Sequence, residues 1–264
     1  MNFFFGIKNE FLNSEIKIPR FQNNGFKSQK YIVHSAIPKN NKWQIDKVFC
    51  NFDDDFYYVD FSNFDKGHIF FLAKENEITN YRRFSPNLLR SFNNFTKTSP
   101  IEFRSNLSIS IKNKGFSSYQ SEYSLEMSQK DGSVLSPLST LLDQNSEKNI
   151  LFFKNIFFKP IFEKSKLYIV DIKKKKVIYE FNIFKNQTNE IEIKKEFIQK
   201  NYYIFSEKIL GIPLFVSINN GHISFEHTHP PHLFLLNENR YKKVAKLKME
   251  IKSIVKQDLK KYEI

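Results

Sequence analysis

What most constrains this chain is a period-two alternation of apolar and polar residues that returns repeatedly over its 264 residues. Side chains point to alternate faces only in a strand, so a repeating period of two predicts sheets with one face on a core. Residues 30–36, 43–52, 56–61 and 68–73 carry the pattern, and residues 102–111, 118–128, 167–172, 177–184, 213–218 and 222–229 carry it further on. Breaks rich in Asn, Gly, Asp and Pro separate these segments, as turns require. Two breaks read as hairpins: the four lysines at 173–176, and Asn219-Asn220-Gly221, whose Asn and Gly tolerate positive φ. Many short strands at this spacing predict a mostly β chain, an antiparallel β-sandwich or barrel in one or two β halves.

The period changes near the C-terminus. Val244, Leu247, Ile251, Ile254, Val255, Leu259 and Tyr262 fall on one helical face, and Asn237 or Asn239 can cap the helix. Nine Lys or Arg against four Asp or Glu make residues 237–264 a basic amphipathic helix. Its apolar stripe predicts that the first half docks on the β domain, close to the histidine-rich segment before it. A short helix is expected at 86–92, and the polar, Pro-terminated stretch 93–100 marks a boundary. The expected division is therefore 1–98, a β-rich region; 99–236, a sandwich-like region with the histidine cluster; and 237–264, the helix.

Composition closes several functional classes. An apolar share of 41% at this length suffices for a packed core. Phe, Lys, Asn and Ile dominate, as AT-rich codons would produce, so the abundance of Lys says little about function. The net charge is +13, yet the arginines are only Arg20, Arg82, Arg83, Arg90, Arg104 and Arg240. Specific reading of phosphates and base edges relies on Arg. The expectation is weak, salt-sensitive attraction to nucleic acid and no specific recognition. A single cysteine, Cys50, rules out an internal disulfide and Cys-based zinc or redox motifs. No stretch approaches ~18 uninterrupted apolar residues, so no transmembrane segment is expected. The N-terminus lacks the basic region of a secretory signal, which makes the cytoplasm the expected compartment. The seven glycines are too scattered for a GxGxxG or Walker-type loop, so no nucleotide cofactor is expected.

Chemistry concentrates in one segment. Four of the six histidines, His222, His227, His229 and His232, lie within eleven residues. On a strand, Ile223, Phe225, His227 and His229 share a face, and the two apolar members turn that face inward. Pro230-Pro231 then ends the strand and lets His232 fold back. Imidazoles at this spacing suit a divalent transition metal such as Zn, Fe, Ni or Cu, with His227, His229 and His232 as ligands. Such a metal would act as a Lewis acid or activate water, with Glu226 as the acid–base residue. Gly221, five residues, then His227-Thr228-His229 resembles the start of the cupin metal strand over nine residues. That resemblance implies a metal site, but Leu233 and Phe234 stand where the motif has Glu, and a Lys-rich helix replaces the second motif.

The expected substrate is a sugar or another small polar metabolite. Tyr119, Gln120 and Glu122, within the run SSYQSEY, offer sugar-type hydrogen bonds. The acidic run Asp53-Asp54-Asp55 reads first as a tight turn and second as a carboxylate site. The rival reading is a non-enzymatic β module that binds glycan or protein, with structural histidines.

Overall fold

The computed structural model describes residues 2–20, 31–74, 84–85, 104–111, 114–129, 132–227 and 238–260. Its strands are short, as the spacing of turn residues dictates. They begin with β1 (Asn2–Phe4), β2 (Asn13–Pro19), β3 (Tyr31–Lys39), β4 (Lys42–Lys47), β5 (Asn51–Phe52) and β6 (Phe56–Asp60). Next come β7 (Ile69–Lys74), β8 (Phe84–Ser85), β9 (Asn106–Ser110), β10 (Phe116–Gln120), β11 (Glu122–Ser124) and β12 (Leu135–Pro137). The last are β13 (Lys148–Lys154), β14 (Lys164–Asp171), β15 (Lys176–Phe184), β16 (Thr188–Glu192), β17 (Tyr202–Phe205), β18 (Ile212–Asn219) and β19 (His222–His227), before helix α1 (Glu238–Lys260).

These strands pair antiparallel into four small sheets. Sheet I runs β11-β1-β7-β3-β4-β8 and sheet II runs β10-β9-β2-β6-β5. Sheet III runs β12-β17-β14-β15 and sheet IV runs β16-β13-β18-β19. The chain is thus mostly β with one C-terminal helix, in a propeller-like arrangement of four sheets rather than a single two-sheet sandwich.

Sheet IV explains why the packing is layered. On one face of it Ile150, Phe152, Leu214, Val216 and Phe225 join a core shared with Ile16 and Leu107 of sheet II and Phe70 of sheet I. On the other, Leu151, Phe153 and Phe215 pack with Leu167, Ile169 and Ile204 of sheet III. A strand buried on both faces has no polar side, so β13 reads as an unbroken apolar run and carries no period of two. The far face of sheet III presents Tyr168, Val170 and Phe205 to Ile251, Ile254 and Val255 of α1. Each of these three helix residues is buried and contributes roughly 1.5–3 kcal/mol. It is therefore the second half of the helix that docks most deeply, not the first half that the stripe alone suggested. The first core takes residues from both sides of position 98, Ile16 and Phe70 with Ile150 and Val216.

Both hairpins form in the expected places. Lys175 turns β14 into β15 with φ 50°, and Asn220 and Gly221 turn β18 into β19 with φ 49° and 78°. Elsewhere an expected strand changes sheet partway. The segment 118–128 divides at buried Ser121, where β10 of sheet II gives way to β11 of sheet I. Ser121 Oγ lies 2.8 Å from Ser105 Oγ, so the two hydroxyls share a hydrogen bond at the switch. Likewise β6 belongs to sheet II and β7 to sheet I. The turn between them starts at Asp60, whose carboxylate accepts from Ser62 N at 2.9 Å. The expected helix at 86–92 and the boundary at 93–100 lie outside the described residues.

Three buried asparagines hold the loops beside sheet IV. Asn155 Oδ1 accepts from Asn186 N at 2.7 Å, Asn186 Nδ2 donates to Lys159 O at 2.7 Å, and Asn189 Oδ1 accepts from Phe184 N at 2.7 Å. Amide side chains can replace missing ladder bonds in this way, so part of the Asn content is structural.

Candidate functional site

An edge strand of each sheet reaches the same place. β11, β10, β12 and β19 are the terminal strands of sheets I, II, III and IV, and residues from all four line one pocket with α1. The cavity measures about 270 Å³, near the lower end of the ~300–1,000 Å³ usual for small-molecule sites. Its apolar wall includes Met127, Val134, Leu135, Leu210, Ile212 and Val244. Its polar groups are Asn2, Gln120, Glu122, Ser124, Ser133, His227 and Lys248.

Backbone bonds fix the frame. Gly115 N donates to Gly221 O at 2.8 Å and ties β10 to the β18–β19 turn. A Cβ on Gly115 would lie 2.3 Å from that same carbonyl, so the junction demands glycine. Tyr123 is fully buried and its hydroxyl donates to Leu210 O at 3.2 Å, steadying the wall formed by residues 210–213. Ser206 Oγ accepts from Val134 N at 3.0 Å and donates to Ile209 O at 2.7 Å, which clips the start of β12 to the same wall.

Two ionisable groups are held in this apolar setting against the preference of their charges. Burial raises the Glu122 carboxyl above the usual carboxylate range, although bonds from its own backbone N–H and from Ser105 N pull the other way. Burial lowers the Lys248 ammonium below the usual lysine range. Its Nζ donates to Ser133 O at 2.6 Å. Desolvation disfavours the charged form of both groups, which brings their proton affinities toward one another. Ionisable groups shifted by desolvation in one apolar cavity mark it as a candidate binding or catalytic site.

The strand alternation of the histidine segment is as the period implies. Phe225 is buried, Ile223 is partly buried and His227 faces the pocket, while His222, Ser224 and Glu226 are exposed. The ring of His227 meets that of Tyr119 edge to face, with centroids 4.1 Å apart. Glu226 therefore lies on the outer face, away from the pocket lining. His229 and His232, the other two expected metal ligands, lie outside the described residues. Among the described residues no group of three His, Cys, Asp or Glu is placed to hold a metal.

The run SSYQSEY turns out to share the site with His227. Tyr119 packs on it, and Gln120 and Glu122 line the same cavity because the chain changes sheet between them. Composition does not single out Lys248 among the many lysines. Its signal is positional: it sits at i+4 from Val244 and i−3 from Ile251, on the apolar stripe itself.

The acidic run is a turn. Asp53 Oδ1 accepts from Asp55 N and Phe56 N, each at 2.7 Å, and Oδ2 accepts from the Tyr58 hydroxyl. The Tyr58 bond first, then the two backbone bonds, hold its carboxyl below the usual range. Arg20 caps the same loop through Asp53 O and stacks on Phe52, 4.7 Å from the ring centre.

No helix among the described residues is long and apolar enough to cross a membrane. Comparison of the chain with protein-family models, with curated proteins and with solved structures finds no match.

Proposed function

We propose that this protein binds a small, largely apolar molecule with one polar end in the pocket bounded by the four sheet edges and α1. The observation that carries this reading is one cavity lined by both Glu122 and Lys248, each held back from solvent, within a wall otherwise dominated by aliphatic groups. Burying a charge without compensation is costly, and a ligand's polar end supplies the compensation. The aliphatic wall takes the rest of the molecule. Gln120, Asn2 and His227 add donors and acceptors that orient it.

The metal-supported reading with His227, His229 and His232, acting on a sugar or other small polar metabolite, is a second proposal. One observation favours it: His227 faces the cavity at the end of its strand. Metal analysis of the untagged protein tests it directly. Near-stoichiometric transition metal, diminished in His227→Ala, supports that reading, and metal-free protein sinks it.

The pocket reading is tested by saturation-transfer NMR with a panel of small aryl and alkyl amphiphiles. Val244 is partly exposed and lines the cavity from the helix, so Val244→Trp fills the space without displacing the core. Saturable binding that disappears in Val244→Trp supports the proposal. Binding unchanged by that substitution overturns it.

A further inference from the structure

We infer that Lys248 is a reactive amine, and that the pocket's ligand is an aldehyde or ketone with which it condenses to an imine. This deepens the pocket reading and rests on it. Among the described residues, the one partner of the Lys248 ammonium is a neutral carbonyl, Ser133 O, at 2.6 Å. The helix carries an ion pair nearby, but through the next turn: Lys252 lies 3.2 Å from Glu207. A lysine on a helix normally reaches water or a carboxylate, and Lys248 instead extends along the apolar stripe into the cavity. An amine so desolvated spends more of its time neutral, and the neutral amine is the nucleophile. Ordinary exposed lysines, such as Lys173 to Lys176 in the β14–β15 turn, lack that setting.

The chemistry balances with groups in the lining. The Nζ lone pair forms a C–N bond to the carbonyl carbon, and the carbonyl π pair moves to oxygen. The resulting carbinolamine loses that oxygen as water. The two hydrogens of the water derive from the amine, so no oxidant or reductant is needed. The proton that leaves nitrogen and the one that the departing hydroxyl takes up are exchanged through water, with Glu122 as the acid in the same lining, raised toward its protonated form by burial. The aliphatic wall favours a carbonyl compound with an apolar body, which on binding displaces water from around the imine.

The test uses benzaldehyde as the probe, sodium cyanoborohydride to fix any imine, and peptide mass spectrometry to locate the label. At neutral pH, Lys248 is expected to be alkylated about tenfold or more faster than Lys173 to Lys176, because a lower proton affinity and a confined carbonyl both raise its rate. Benzyl alcohol, which fits the same space but forms no imine, should compete. Val244→Trp should remove the preference, and Glu122→Gln should slow it. Labelling of Lys248 no faster than the turn lysines overturns the inference. If benzyl alcohol still shifts the NMR signals of His227 and Val244 in that case, the pocket reading survives alone. If it does not, both fall. Preferential labelling that persists in Val244→Trp also overturns the inference, because the reactivity would not depend on the cavity.

Discussion

Replacing Lys154 with methionine should make the protein more stable, and the gain should depend on pH. Lys154 ends β13 with its side chain fully buried. Its Nζ donates to His68 O at 3.2 Å and lies 5.9 Å from the Phe5 ring centre. Among the described residues no carboxylate contributes to its titration, and desolvation lowers its pKa from 10.5 to about 7. His68, whose carbonyl accepts that bond, is itself pushed down, first by burial and also by the Lys154 charge. In the unfolded chain the amine holds its proton up to about pH 10.5, whereas in the fold it loses it above about 7. Between those values the unfolded state binds more protons, so stability falls as pH falls, by about 1.4 kcal/mol per unit. Below pH 7 the penalty is complete, on the order of 5 kcal/mol, and at pH 9 it is about 2 kcal/mol.

Methionine has similar length and no charge, but it leaves the His68 carbonyl without that donor, at a cost of about 1–3 kcal/mol. The net gain for Lys154→Met is then about 2–4 kcal/mol at pH 6 and close to nothing at pH 9. Urea denaturation followed by the fluorescence of Trp43, the only tryptophan and fully buried, measures the difference at each pH. Taking the difference between the two proteins cancels the groups that Lys154 does not touch and leaves only the smaller influence of its charge on His68. A gain that stays constant from pH 6 to pH 9, or grows with pH, would refute the reasoning.

Three further outcomes follow from the packing. Ile251→Asp places a carboxylate between Tyr168, Val170 and Phe205 and should cost about 3–5 kcal/mol in urea denaturation, with loss of pocket binding. Gly115→Ala forces a methyl into Gly221 O and should lower the melting temperature and weaken ligand binding together, since it parts β10 from the β18–β19 turn. Asp53→Ala should slightly lower the melting temperature and leave binding unchanged, because among the described residues its carboxylate bonds its own loop and Tyr58, away from the pocket lining.

The sequence reveals those parts of this molecule that are set by local rules. The hairpins at 173–176 and 219–221 follow from turn chemistry, and α1 follows from its 3.6 period. The two faces of β19 follow from alternation, which puts His227 on the inner face and Glu226 on the outer. What depends on sheets meeting each other was not legible. β13 lost its period because both its faces are buried. Ser121 looked like any strand serine, though the chain leaves one sheet for another there. That switch brings Gln120 and Glu122 beside His227, over a hundred residues away in the chain. Lys248 and Lys154 were hidden by composition. In a chain so rich in lysine, only a position on an apolar stripe or inside an apolar run distinguishes a buried amine from a solvated one.

The central claim, that the cavity at the four sheet edges is where a ligand binds, is tested most directly by intermolecular nuclear Overhauser contacts. A bound amphiphile from the NMR panel should show contacts to the methyl groups of Val244, Ile212 and Leu135, with its polar end near Glu122 and Lys248. Contacts confined instead to the exposed aromatic rings Phe49 and Phe52 would contradict the account.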